Sequence, residues 1–184
     1  MGAKKKLNIG CGNEILPDFV NLDVVQLSGV DVVHDLLKTP WPFEDSSFEE
    51  ILGKHVLEHL PNPIHALEEI WRIVKPGAKI NIRVPYWNSL DFVADPTHIH
   101  AFHQRTFEFF DPSKKACRER PYYSKARFKI HGIHYWWGWR GWLGWKERYF
   151  CAKDGTIWHG FLGLLSEFLN NIVWVLEVDL EAIK

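Results

Sequence analysis

The chain has 184 residues, 46% of them hydrophobic and 24% charged, which is enough apolar material for one sizeable core and argues against disorder. Its 22 Lys+Arg against 23 Asp+Glu leave a net charge of −1, which excludes a uniformly basic nucleic-acid binder and an acidic tail. Cys11, Cys117 and Cys151 are scattered and odd in number, so neither a disulfide framework nor a zinc knuckle is expected.

Lys4-Lys5-Lys6 leads into Leu7-Asn8-Ile9-Gly10 and not into a signal-peptide apolar core, and position 6 lacks the Ser or Thr of a myristoylation signal. A cytoplasmic location is therefore expected. Lys5 to Ile9 reads as a short strand entering a Gly-Cys-Gly turn. Phe19 to Asp23 and Val30 to His34 are strand-like with acidic or polar ends, and Phe48 to Gly53 is a further strand. His55 to Leu60 begins a helical piece that Pro61 ends. Pro63 opens a helix to about Val74, with Ile64, Leu67, Ile70, Trp71 and Val74 at helical spacing. Lys75-Pro76-Gly77 stops it, and Ala78 to Val84 follows as a strand. Strands alternating with helical segments predict an α/β fold, a Rossmann-like open and mostly parallel sheet.

Beyond Pro85 the pattern is less regular. Thr106 to Phe110 is expected as a short helix and Phe128 to Trp137 as a strand. Trp158 to Leu169 reads as a helix and Ile172 to Leu180 as a last strand. Residues 86–125 and 138–171 then form additions within a single domain spanning 1–184. Phe161 to Val178, the most apolar window, is broken by Ser166, Glu167, Asn170, Asn171 and Glu177, so no transmembrane helix is expected.

In open α/β sheets ligands bind beyond the carboxyl ends of the strands. Gly10-Cys11-Gly12 lies there, but a dinucleotide fingerprint needs a third Gly where Ile15 stands and a more distant acid than Asp23. Asp23 at the end of the second strand suits a ribose instead. Asp35 and Leu36 after the third suit an adenine, and His55 ends the fourth beside the same crevice. Singly, each Asp reads equally as a turn or cap residue. Together with the glycine turn they point to a nucleoside site.

The blocks Leu7-Asn8-Ile9-Gly10-Cys11-Gly12, Val20-Asn21-Leu22-Asp23, His34-Asp35-Leu36 with Trp41-Pro42-Phe43-Glu44-Asp45-Ser46-Ser47-Phe48, His55-Val56-Leu57-Glu58-His59-Leu60 and Arg72-Ile73-Val74-Lys75-Pro76-Gly77-Ala78 occur in order. They resemble the motifs of class I S-adenosylmethionine-dependent methyltransferases of the type 11 kind, most closely a short branch associated with polysaccharide or cell-envelope pathways. Asp95-Pro96-Thr97-His98 also resembles a piece of related enzymes. The resemblance runs from Leu7 to Pro85. It implies S-adenosyl-L-methionine as cofactor and methyl transfer to a small-molecule, glycan or lipid-linked acceptor. The Gly10-Cys11-Gly12-Asn13 turn would lie against its methionine part, with Gly10 and Gly12 in contact. Asp23 would hold the ribose, Asp35 and Leu36 the adenine, and His55 would border the methionine end. It also implies a seven-stranded sheet whose last strand is antiparallel, with Phe128–Trp137 and Ile172–Leu180 as the final pair.

Nine residues between Ile9 and Phe19 are too few for the usual crossover helix. The first helix is thus expected to be shortened or missing. An apolar sheet face would then need cover from the Trp-rich insertion or a second subunit, which makes a homodimer one expectation.

A general base helps when a methyl acceptor is a hydroxyl. His98 is the first candidate and His103 the second, with Tyr86 a further one, because all follow the fifth strand. A His capping the next helix or packed on Trp87 is an equal reading. His98-x-His100-x-x-His103 lacks the helical i, i+4 spacing of a metal pair, so no metal is expected. Six of the ten Trp lie between Trp136 and Trp158, and Arg105 to Lys153 carries 12 Lys+Arg against 4 Asp+Glu. That stretch reads as aromatic core covered by snorkelling cations, or as a surface for an anionic, partly apolar substrate or a peripheral membrane contact. Two other functions compete: a non-catalytic nucleoside-binding module, and an RNA methyltransferase, which the overall charge opposes.

Overall fold

The computed structural model describes residues 4–139 and 148–184. The tip of the Trp-rich insertion, including Trp142 and Trp145, lies outside the described residues. Four strands come first: β1 (Lys6–Ile9), β2 (Val20–Asp23), β3 (Val32–Val33) and β4 (Phe48–Lys54). Helix α1 (Pro63–Ile73) and strand β5 (Val74–Pro85) follow. Two short helices, α2 (Leu90–Ala94) and α3 (Lys115–Glu119), precede β6 (Phe128–Trp139), β7 (Arg148–Ala152), helix α4 (Ile157–Phe168) and β8 (Val175–Ala182).

The strands form one sheet in the order β3-β2-β1-β4-β5-β8-β6-β7. β3 to β5 pair in parallel, whereas β8 runs antiparallel to both β5 and β6. The mostly parallel sheet with an antiparallel end is therefore present, and the last strand in sequence sits inside the sheet. Strand β7, antiparallel to β6 at the edge, was not expected. It converts the start of the anticipated 138–171 insertion into a hairpin arm. The final strand begins three residues later than the alternation suggested, and Val30–His34 contracts to the two residues of β3. Lys75-Pro76-Gly77 ends α1 but is itself absorbed into β5, across a register shift between Phe48 and Glu50 of β4. Segment 55–60 narrows to a single 3-10 turn over Leu57–His59.

Helix α1 starts where the Asn62 side chain accepts the His65 N–H at 3.2 Å and Pro63 occupies the first turn, both ordinary start signals. Its buried Ala66, Leu67, Ile70 and Ile73 join one core with Leu7, Ile9, Ile51, Ile80, Ile82, Val178 and Leu180. Strand alternation puts Asn8, Glu50, Leu52, Lys54, Lys79, Asn81, Arg83, Glu177, Asp179 and Glu181 on the opposite face.

That opposite face corrects the expectation of an apolar surface in need of cover. It forms an open groove of about 730 Å³ whose lining contains no residue from a helix. Charged and amide side chains fill it: Arg83 pairs with Glu177 at 3.1 Å, and Asn81 donates to Glu177 and Asp179 at 2.7 Å. Next to it, the loop that replaces the crossover helix is pinned by two buried amides. Asn8 donates to the Glu14 carbonyl (2.8 Å) and to Asn21 Oδ1 (3.2 Å). Asn21 in turn accepts the Leu16 N–H (3.0 Å) and donates to the Leu16 carbonyl (3.0 Å). Hydrogen bonds thus do here what a helix's apolar stripe does elsewhere.

Arg72, near the C-terminus of α1, clamps the long segment before β4. Its guanidinium donates to both Glu69 oxygens (2.9 and 2.8 Å), to Asp45 (2.7 Å) and to the Phe43 and Trp41 carbonyls (2.8 and 3.1 Å). Glu69 also accepts the Trp41 N–H at 2.7 Å. Burial pushes the Glu69 carboxyl up, but the Arg72 and Trp41 hydrogen bonds outweigh it and hold it below its ordinary 4.5. A depressed carboxylate contributes stability that is present above its unfolded pKa and lost as pH falls through the folded one. We expect Arg72→Met to lower stability by about 3 kcal/mol at neutral pH, because it strands Glu69 in a largely buried place. Urea titrations should show this gap shrinking as pH falls below 4.5; a gap independent of pH would contradict the clamp.

Candidate active site

The ends of four strands, β1 to β4, meet at one cavity of about 530 Å³, within the size range of small-ligand sites. Gly10, Leu22, Asp23, Val24, Asp35, Leu36, Leu37, His55, Val56, His59 and Leu60 line it. The sheet order reverses beside β1, with β2 on one side and β4 on the other, so the cavity lies at the switch point of the fold.

Of the expected nucleoside-site residues, Gly10, Asp23, Asp35, Leu36 and His55 surround this cavity. Asp23 accepts the Gly12 N–H at 2.8 Å and the Val25 N–H at 3.0 Å, one on each oxygen. Each oxygen keeps a lone pair for a further donor. Asp35 fixes its own loop by accepting the Leu37 N–H at 3.0 Å. The Leu36 carbonyl accepts from the Trp41 indole at 3.1 Å, which links this wall to the Arg72 clamp.

The two glycines act differently. Gly12 has φ +48° and open space where a Cβ would stand, whereas a Cβ on Gly10 (φ +59°) would meet Val56 Cγ2 at 2.2 Å. Gly10 is therefore demanded by packing inside the protein, and Gly12 leaves the room through which a ligand could approach. Cys11 is buried, its thiol pushed up by burial and by the nearby Asp23 carboxylate. Asn13 is exposed on the turn, and of the four residues Gly10–Asn13 the cavity is lined by Gly10, with Cys11, Gly12 and Asn13 outside its lining. His55 closes β4 in the left-handed region, with φ +53°, a conformation that costs a non-glycine residue energy and tends to mark functional sites.

A second cavity of about 520 Å³ adjoins the first, and the two share His55 and His59. Its other lining residues are Pro85, Asp91, Ala94, Asp95, Pro96 and His98. The loop carrying His98 hangs on the 3-10 turn: the Glu58 carbonyl accepts the N–H groups of Ile99 (2.9 Å) and His100 (3.2 Å). This brings His98, a side chain 7% exposed, against the carboxyl of Glu58, which is 0% exposed. Asp95 accepts both the N–H and the hydroxyl of Thr97, at 2.8 and 2.6 Å. These bonds hold its carboxyl below its ordinary 3.8.

His103 and Tyr86 are not brought into either cavity. Tyr86 is 0% exposed, and its hydroxyl bonds Gln104 at 2.9 Å and Ser166 at 3.2 Å. Burial pushes it up, further from use as a base. His103 caps the 3-10 helix Gln104–Phe110, accepting the Arg105 N–H at 3.2 Å, and its other ring nitrogen meets Glu167 at 3.0 Å. Both are placed under α4 and occupied there, because the chain turns away from the strand end at Trp87. His59 lines both cavities, with the buried Glu58 preceding it and Thr97 bonded to its ring, and none of the three was singled out in the sequence as a site residue. The only signal was an acid and a histidine embedded in the otherwise apolar His55–Leu60 block.

Residues 12–82 match the family model described as a methyltransferase domain. A demethylmenaquinone methyltransferase of Bacillus cereus is 34% identical over 59 residues, which cover 32% of this chain and 24% of that protein. The chain thus spans about a quarter of the length of the curated relatives it matches. A SAM-dependent methyltransferase from Archaeoglobus fulgidus superimposes over 98% of this chain and 86% of its own, with a TM-score of 0.62 at 16% identity. One from Thermotoga maritima covers 100% of this chain and 84% of its own, with a TM-score of 0.58 at 13% identity. These two structures share the fold.

We expect Gly10→Ala to cost about 1–3 kcal/mol through overpacking and a strained φ. Adding Val56→Ala should recover part of that loss in a thermal or urea unfolding series. Full stability in Gly10→Ala alone would contradict the packing role.

Proposed function

We propose that this chain, whose residues 12–82 match a methyltransferase domain and whose fold is that of SAM-dependent methyltransferases, acts as one domain that transfers a methyl group from S-adenosylmethionine to a lipid-linked or otherwise amphipathic acceptor. The observation that carries the reading is the cavity at the switch point, where two carboxylates and an apolar wall converge. The residues fit the cofactor. Asp23 retains acceptor capacity for ribose hydroxyls, Asp35 and Leu36 line the same cavity, where an adenine would meet them, and Gly12 leaves backbone room beside Asp23. When bound, the cofactor supplies an electrophilic methyl on a sulfonium.

The protein's part is alignment and proton handling. Because the two cavities adjoin at His55 and His59, an acceptor in the second would face a donor in the first. His98 is the residue best placed to take a proton. Its Nδ1 meets the Phe92 carbonyl at 3.0 Å, so that nitrogen bears hydrogen and Nε2 keeps its lone pair.

The apolar character of the acceptor is read from α4. Leu162 and Ser166 of this helix are buried, yet Ile157, Trp158, Phe161, Leu164 and Phe168 are each at least half exposed. Such a stripe fits an acyl or polyprenyl chain, or the membrane surface that carries one. Among the described residues no helix is long and apolar enough to cross a membrane. The named B. cereus relative acts on demethylmenaquinone, in keeping with an apolar acceptor.

Calorimetric titration with S-adenosylhomocysteine should show binding weakened about tenfold or more in both Asp23→Ala and Asp35→Ala, each of which removes charge-assisted hydrogen bonds. Unchanged affinity in both would overturn the cofactor assignment. With methyl-tritiated cofactor and fractionated cell extract, label is expected in the material extractable into organic solvent. Label confined to water-soluble products would overturn the lipid-linked acceptor, and no transfer to any fraction would leave a binding module.

A further inference from the structure

We propose that Glu58, His59 and His98 form a binding site for one first-row divalent cation, with zinc as the type, at the junction of the two cavities. Their ligand atoms all lie within 4.8 Å of one another. The inference is an alternative to His98 acting as a proton acceptor, because a cation on Nε2 takes the lone pair that role needs, and it departs from the sequence expectation of no metal, which weighed His98 with His100 and His103.

Glu58 provides the first reason. Its side chain is 0% exposed, and neither carboxyl oxygen has a hydrogen-bond partner among the described residues. Its Oε1 lies 3.3 Å from His55 Nδ1, outside hydrogen-bond geometry, and 3.9 Å from His98 Nε2, contacts that become ion pairs only when the histidines are protonated. A buried carboxylate without a donor or cation costs several kcal/mol on general grounds. No Lys or Arg lines the adjoining cavity to supply that charge.

The imidazoles provide the second. His98 gives its Nδ1 hydrogen to the Phe92 carbonyl at 3.0 Å. His59 Nδ1 lies 3.0 Å from the Thr97 hydroxyl, whose one hydrogen already goes to Asp95. Thr97 can therefore only accept, and His59 Nδ1 is the donor. Both rings are thereby left with a bare Nε2, each oriented through its other nitrogen, as in metal-ligating histidines. The Asp95-Thr97-His59 chain has no other evident reason to fix that tautomer.

Two neutral imidazoles and one carboxylate form a donor set for zinc or another first-row cation with open positions. Tetrahedral bonds of about 2.0–2.1 Å place ligand atoms about 3.3–3.5 Å apart. Closing the difference takes a small shift of the three side chains that keeps the His59–Thr97 and His98–Phe92 bonds. His59 and His98 both line the cavity that holds Pro85, Asp95 and Pro96, so the cation would lie beside it. An oxygen-bearing ligand placed there would bind the cation directly.

Full-length protein stripped with chelator and titrated with Zn²⁺ or Co²⁺ should take up one equivalent, with visible Co²⁺ absorption of low-symmetry intensity. Glu58→Gln and His98→Gln should weaken uptake about tenfold or more, and Thr97→Val, which removes the acceptor for His59 together with the hydroxyl's bond to Asp95, should weaken it measurably. Uptake well below one equivalent by the unaltered protein would overturn the site and needs no variant to fold. So would uptake that Glu58→Gln and His98→Gln leave unchanged while circular dichroism shows them folded. S-adenosylhomocysteine titrated into the same metal-free sample separates the two proposals, since its binding without metal uptake condemns only the cation site.

Discussion

The crossover between β1 and β2 is only ten residues long, and much else in the molecule follows from that shortness. A parallel connection of this length holds no helix, so one face of the sheet loses the layer that would bury it. The fold accommodates this by changing the chemistry of the face. Asn8 and Asn21 bind the short loop through its backbone, and the neighbouring strands present ion pairs and amides beside a few aliphatic side chains such as Leu52. A doubly covered sheet thereby becomes one with a polar, solvated face.

The same shortness sharpens the ligand edge. Two residues after β1 the chain must already be turning back, which takes Gly10 and Gly12 into the left-handed region and aims the Gly12 N–H at Asp23. Val56 packs where a Gly10 side chain would be, so the turn after β1 and the turn after β4 fix each other. On the far side, the Arg72 guanidinium holds the Trp41 carbonyl, and the Trp41 indole holds the Leu36 carbonyl. A chain of hydrogen bonds thus runs from the end of α1 to the wall of the cradle.

The elements whose periodicity is local were readable in the sequence. The alternation of Lys6–Ile9 and Phe48–Lys54 and the helical spacing from Pro63 to Ile73 needed no distant partner. Strand β7 was not readable, because it exists only as the partner of β6 inside a Trp-rich stretch with no clear period. Likewise, Asp23, Asp35 and His55 could be placed at one edge from strand ends alone. The cluster of Glu58 and His98 could not, since forty residues separate them and backbone bonds to the Glu58 carbonyl bring them together. Tyr86 and His103 show the reverse error: proximity to the end of β5 in sequence put them near the cradle, and packing under α4 takes them away.

The cradle at the carboxyl edge of the sheet is the claim on which the function rests. A crystal structure of the full chain with S-adenosylhomocysteine tests it most directly. The ribose hydroxyls should lie on Asp23, with the adenine between Asp35 and Leu36 and the sulfur pointing toward His55. A ligand found in the polar groove on the opposite face, or a cradle left empty at saturating ligand, would contradict the account.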